Sequence, residues 1–229
     1  MCGRIIKDGK EIMGDGDFNR SLARQRQLFW KIWLADREAG GAHGYNLKPT
    51  ERISFVRSDD SGEPIGLVGR WGLEPRWIRD PKQLKTPLFN ARSETAAEKP
   101  SFRDALRHDR CVVLVDAFYE WQAITGQAKK QPWVIRRADG EPMILAGLCA
   151  SHEWGESFTI LTTSPNTLMA PIHDRMPVVL DPDSLERWLD RATTDPKNVE
   201  DLLRPCPPDW LEAKPLISPV GDWPPETTA

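Results

Sequence analysis

The residue with the most distinctive chemistry is Cys2, directly after the initiator methionine. A small second residue makes Met1 a good substrate for removal, which leaves Cys2 with a free α-amine beside its thiol. Ordinary pKa values of about 7.7–8.0 for the amine and about 8.5 for the thiol keep both partly reactive near neutrality. Such a 1,2-aminothiol attacks an aldehyde through its amine. The thiol then closes a five-membered thiazolidine in an intramolecular step of very high effective concentration. Many chains also begin Met-Cys with no chemistry at all, so Cys2 needs partners.

Glu120 sits in Phe118-Tyr119-Glu120-Trp121, just past a strand-like run and flanked by three aromatics. Burial there raises a carboxyl pKa and suits it to proton shuttling, whereas on an edge strand it is an ordinary surface charge. His173 lies in Pro171-Ile172-His173-Asp174-Arg175-Met176-Pro177, a turn before a strand, where a side chain titrating near neutrality can exchange protons. Asn90 and Arg92 close the segment Phe89-Asn90-Ala91-Arg92: an amide that donates and accepts, then a fork that fits a phosphate. Trp71 and Trp77 interleave with arginines, a mixture that stacks bases and holds a backbone, although either indole could be core. Cys149-x-x-His152 is one isolated pair, so no metal is expected, nor any other cofactor. Neither a Gly-rich phosphate loop nor a Gly-x-Ser-x-Gly elbow occurs.

These residues are positioned by one chain of 229 residues with net charge −3, 28% charged and 39% hydrophobic. That composition is globular, and no apolar run approaches the ~20 residues of a spanning helix, so no membrane partner is expected. Met1 to Lys10 lacks an apolar signal core, and the four cysteines have no short paired spacing, so reduced thiols and a cytoplasmic location are expected. The window Arg70 to Arg92 carries six basic and two acidic residues, a local strip on an acidic body that can track phosphates.

Asp17 to Ala39 reads as an amphipathic helix with Phe18, Leu22, Phe29 and Trp33 on one face, stopped by Gly40-Gly41. Strand-like runs are Ile53 to Arg57, Cys111 to Asp116, Trp133 to Arg137, Met143 to Cys149, Phe158 to Thr163 and Pro177 to Leu180. Ser101 to Asp104 resembles a capping box opening a short helix, and Asp183 to Arg191 another helix. Strands outnumber helices without regular alternation. This predicts a single α+β domain over 1–229, with a curved, mainly antiparallel sheet flanked by short helices. Seven of the twenty prolines fall between Pro205 and Pro225, so the chain from about 205 is expected to be irregular.

In this order, the segments resemble the SOS-response-associated peptidase family, also called abasic-site processing proteins. The resemblance runs from Met1-Cys2-Gly3-Arg4 through Tyr45-Asn46, Trp71 to Trp77, Asn90 to Thr95, Arg110 to Trp121, Ala146-Gly147-Leu148 and Ile160 to Pro177. It departs at Lys48, Ala117 and Cys149, where the family has other residues, and beyond residue 200. The resemblance implies that Cys2 bonds covalently to an abasic site in single-stranded DNA. Asn90 would position the amine and sugar, and Glu120 and His173 would move protons. Arg4, Trp71, Trp77, Arg92 and Thr162 would line the DNA path. It further implies a monomer, located at the nucleoid when bound to damaged DNA, with lyase- or hydrolase-type chemistry. Two other readings remain open: a cysteine peptidase, whether general or autoproteolytic at Met1 only, and a non-catalytic single-strand binder.

Overall fold

In a computed structural model, the structure describes residues 3–7, 24–217 and 220–221. The elements in chain order are β1 (Ile5–Lys7), α1 (Arg24–Ala39), β2 (Gly44–Leu47), β3 (Arg52–Ser58), β4 (Pro64–Trp71) and β5 (Asn90–Arg92). There follow α2 (Ser93–Ala96), α3 (Arg103–His108), β6 (Arg110–Val115), β7 (Ala117–Gln122), β8 (Gln131–Arg137) and β9 (Met143–His152). The chain continues with β10 (Gly155–Thr163), β11 (Met176–Pro177), α4 (Leu185–Leu189) and β12 (Leu211–Pro215). The α+β class is as expected, but the strands form two sheets rather than one. The first has order β12-β8-β7-β1-β2; the second runs β11-β10-β4-β3-β6-β9, and β9 also pairs β10 to close a small barrel. Pairing is antiparallel except where β4 and β5 run parallel to β10.

The facing sides of the two sheets make the main core. Ile5, Phe118 and Ile135 come from the first sheet, and Phe55, Trp71, Phe158 and Ile160 from the second. The opposite side of the barrel packs Val112, Leu148 and Leu161 under helices contributing Ile32, Leu106 and Trp188. Helix α1 lies close on β4: a Cβ added to Gly66 would stand 1.8 Å from the Ala35 carbonyl oxygen, a contact only glycine permits. Gly40, at φ 74°, ends the helix where the sequence placed its stop, in the left-handed conformation that suits glycine after a helix. The expected inward face is rotated, however. Ile32 and Asp36 are buried while Phe29 and Trp33 are half-buried at its margin, and Asp36 is drawn in by Lys7. Phe18 and Leu22 lie outside the described residues.

Three local expectations need correction. Helix α3 begins after Phe102, not Ser101, and has no side-chain cap bond; the Phe102 ring is buried in the helix-side core. The run Pro177 to Leu180 is a strand only at Met176–Pro177. Beyond it, Val178 donates to Leu161 and Leu180 to Ile144, so the segment stitches β10 to β9. The Pro-rich tail is not wholly irregular, because β12 pairs β8 from Leu211↔Arg137 to Pro215↔Trp133. It does so at a sheet edge, where a proline costs no ladder bond.

Candidate functional site

Strand β7 organises the site. Its side chains alternate: Ala117 and Tyr119 face a small cluster with Ile6 and Val134, while Phe118 faces the main core. Glu120, two residues beyond Phe118, therefore points between the two sheets. Trp133 of β8 stands directly opposite Glu120 in register. The carboxyl side chain is only 2% exposed, and burial pushes its pKa above the usual carboxylate value. The expectation of a desolvated carboxyl thus has its geometry.

His173 approaches Glu120 from the loop between β10 and β11, with Nε2 3.9 Å from Oε2. Its Nδ1 accepts a hydrogen bond from the Arg175 backbone N–H at 3.0 Å. Burial pulls the imidazole pKa below its ordinary value, so near neutrality the ring is uncharged and its proton sits on Nε2, toward Glu120. Asp174 lies 2.9 Å from Nδ1, but its side chain is 83% exposed. With the Nδ1 lone pair already engaged by Arg175, Asp174 is solvated rather than bound. Arg175 anchors the loop through two bonds to Glu94 (2.6 and 2.8 Å) and one to the Thr162 carbonyl (2.6 Å).

Asn90 enters from β5, paired with Ile160 of β10. Ile160 faces the main core while Ala91 and Leu161 face the helix side. Asn90, Arg92 and Thr162 accordingly share the face turned toward the first sheet, the side from which Glu120 projects. The N-terminal segment joins here too: Tyr119 N–H donates to the Arg4 carbonyl, and Ile5 pairs Phe118. Arg4 is held by Asn46 at 2.6 Å and lies over the Trp121 ring. The structure thus brings Glu120 and His173 together with the Arg4 backbone beside β7, and Asn90 lies on the β5 face turned toward the first sheet. Cys2 and Met1 lie outside the described residues.

The expected DNA path divides. Trp77 is 55% exposed and Arg92 is exposed, as a stacking platform and a phosphate fork require. Trp71 has no exposed surface. It is a core residue whose Nε1 donates to the Phe89 carbonyl at 2.9 Å, and it cannot stack on a base in this conformation. Thr162 is also fully buried, so it supports the floor instead of touching a strand. Within the basic strip, Arg76 is bound to Asp109 and Arg70 to Glu74, while Arg79, Lys82, Lys85 and Arg92 stand exposed.

Gln122 and Trp133 were not singled out in the sequence, yet they border this site. Trp133 Nε1 donates to Gln122 Oε1 at 3.0 Å, and Gln122 Nε2 donates to the Pro171 carbonyl at 2.9 Å. Period-2 reading of a strand over 117–122 would have placed Gln122 beside Glu120. Among the described residues, no cluster of three or more His, Cys, Asp and Glu could hold a metal, and no helix is long and apolar enough to cross a membrane. The Cys149–His152 pair is otherwise engaged: Cys149 with the Asp109 carbonyl, His152 with the Glu74 carbonyl. A concavity of ≈ 1170 Å³ between α1, the β3–β4 turn and α4 contains none of the candidate residues.

This α+β fold is shared with a defined group of proteins. The family model for SOS response associated peptidase (SRAP) matches residues 1–223, and the chain belongs to that family. It is 39% identical over 182 residues to the abasic site processing protein YoqW of Bacillus subtilis, covering 77% of this chain and 80% of that one. It is 32% identical to the abasic site processing protein YedK of Escherichia coli, covering 78% and 79%. It is 34% identical to the abasic site processing protein HMCES of Gallus gallus, covering 90% and 70%. A crystal structure of a Bordetella bronchiseptica protein superposes with a TM-score of 0.69 at 28% identity, covering 94% of this chain and 99% of that one.

Proposed function

We propose that this protein captures abasic sites in single-stranded DNA as a covalent thiazolidine formed by Cys2 after loss of Met1. The observation that carries the reading is the Glu120–His173 pair, 3.9 Å apart, beside the place where the chain enters β1. Cys2 directly precedes Gly3-Arg4 in the chain, and the Arg4 carbonyl accepts from Tyr119 N–H, the neighbour of Glu120 in β7. The names of the relatives, which include organisms as distant as a bacterium and a bird, support abasic sites as the substrate class.

The chemistry balances without a co-reactant. The Cys2 amine adds to the ring-opened sugar aldehyde, and the resulting carbinolamine loses one water to give an imine. The thiol then adds across the C=N bond and its proton passes to nitrogen. Glu120, with its raised pKa, supplies the proton that lets water leave and accepts one on reversal. The neutral His173 presents Nε2–H to the developing charge on oxygen, and Asn90 orients the amine and sugar. Since an abasic site has no base to read, recognition falls to backbone contacts and stacking on neighbours. Arg4, Arg92 and Trp77 are suited to both.

The test is Cys2→Ala, measured with an oligonucleotide carrying one abasic site. The variant is expected to lose the covalent product and keep weak strand binding. A stable adduct formed by protein verified to retain Met1 would overturn the mechanism, because the aminothiol does not then exist. Loss of peptide cleavage in Cys2→Ala, with no adduct in the parent, would favour the peptidase reading.

A further inference from the structure

The loop carrying His173 is tied to the fold at several points. Asn166 holds its first turn by accepting from Met169 N–H and donating to the Cys206 carbonyl, and Arg175 ties its end to Thr162 of β10. Those ties run to the loop itself, the tail and the second sheet. Glu120 belongs to the first sheet. Among the described residues, the side-chain hydrogen bond that joins β7 to the loop is that of Gln122, whose Nε2 donates to the Pro171 carbonyl two residues before His173.

The bridge needs a two-sided group. An indole N–H can only donate and a carbonyl can only accept, so the group between Trp133 and Pro171 must accept on one side and donate on the other. A primary amide does both on one planar group, and its two fixed partners settle which way it points. Glu120 and Gln122, two apart on β7, leave the same face of the strand. Trp133 stands opposite Glu120 while holding Gln122. One strand pair therefore places both the carboxyl and the strut that sets the distance to its partner.

We propose that Gln122, oriented by Trp133, is a positioning residue that sets the separation of Glu120 and His173. At 3.9 Å the two groups are too far apart to hydrogen-bond directly to each other. A substrate oxygen about 2.8 Å from each fits above that gap, able to donate to one and accept from the other. Freed from Pro171, the loop can let the imidazole swing outward into water or inward onto the carboxylate, and either movement closes the opening to substrate. The inference rests on the proposed acid–base roles, but the geometry it concerns can be read without DNA.

The experiment compares the parent with Gln122→Met, which keeps length and removes both hydrogen bonds, and with Trp133→Phe, which removes the indole N–H and part of the ring while leaving the Gln122–Pro171 bond possible. Adduct formation with an abasic oligonucleotide is followed across pH, and the His173 ring is titrated by NMR in the absence of DNA. Among the described residues, the charged groups facing that ring are Glu120 from β7, Asp174 from its own loop and Lys130 from the β7–β8 connection; the chain's α-amine also lowers its pKa. Gln122→Met is expected to slow adduct formation about tenfold to a hundredfold, the scale of a reacting group displaced by an ångström. Its His173 titration should move up toward the ordinary histidine value, shifting the pH–rate limb with it, while affinity for intact single strands stays unchanged. Trp133→Phe should give smaller changes of the same sign. A folded Gln122→Met with the parent's rate and the parent's His173 titration would overturn the proposal. A shifted titration in a protein whose parent forms no adduct would uphold the positioning and remove the proposed reaction instead.

Discussion

Two pairs of titratable side chains flank β1, and they are built differently. Lys7 is fully enclosed: its ammonium donates to Asp36 at 2.7 Å, to the Leu114 carbonyl at 3.0 Å and to the Ser54 carbonyl at 3.4 Å. All three of its protons are used, and no room is left for a substrate. At the other end of the same region, Glu120 and His173 face each other across 3.9 Å, with the histidine side chain still 23% exposed. The first arrangement docks α1 onto β1. The second leaves two titratable groups near each other without a direct hydrogen bond, as the proposed acid–base roles require. Saturated hydrogen bonding marks the first pair, and a gap marks the one proposed to do chemistry.

The largest effect expected from this contrast is on stability. Asp36→Ala leaves a buried ammonium without its carboxylate and should cost about 3–5 kcal/mol in a urea titration, the usual penalty for breaking a buried pair. A loss below about 1 kcal/mol would show that Lys7 reaches solvent and that the pair is not closed.

Glu120→Gln should act in the opposite sense. Removing the proton shuttle is expected to slow adduct formation or reversal by about 10²–10⁴-fold, the range for general acid–base catalysis. Stability should rise. A carboxyl whose folded pKa is raised contributes its full stability only below its unfolded value, and that contribution is lost as pH climbs through the folded value. The melting temperature of Glu120→Gln should therefore exceed the parent's at neutral pH and converge with it as pH falls into the ordinary carboxylate range. Equal melting temperatures at pH 7 would mean that burial imposes no cost on Glu120, and the contrast with Lys7 would blur.

The two tryptophans of the strip give a smaller, sharper test. Trp77→Ala should weaken single-strand binding by roughly 1–3 kcal/mol, the scale of one lost stacking platform, with little change in stability. Trp71→Ala should unfold or strongly destabilise the protein through its core position. A Trp71 variant that folds normally and loses only DNA binding would contradict its burial. Smallest of all, raising salt should slow capture and leave a finished adduct intact, because only the encounter depends on counterion release. An adduct that dissociates in high salt is not covalent.

Much of the site was legible because its residues sit in short segments with unusual mixtures of side-chain types. Glu120 among aromatics and His173 in its turn could be picked out by type alone, and the structure places them together. Burial was less legible. Trp71 and Trp77 are chemically identical and six residues apart, yet one fills the barrel and the other faces solvent; only the pairing of β4 with β10 decides which. Gln122 was missed for a related reason. Its role depends on a strand over 117–122 and on a carbonyl 49 residues away, and a mixed run such as Ala-Phe-Tyr-Glu-Trp-Gln does not alternate cleanly when both faces of the sheet are covered. The tail shows the same limit. Its prolines spoke against regular structure, but the proline-free stretch Leu211 to Lys214 needs only a free sheet edge to become a strand.

The central claim is covalent capture through the N-terminus, and intact mass tests it most directly. Purified protein is mixed with a single-stranded oligonucleotide carrying one abasic site and weighed without digestion. The expected product has the mass of the protein lacking Met1, plus the oligonucleotide, minus one water. Absence of any covalent product from protein verified to begin at Cys2 would contradict the account.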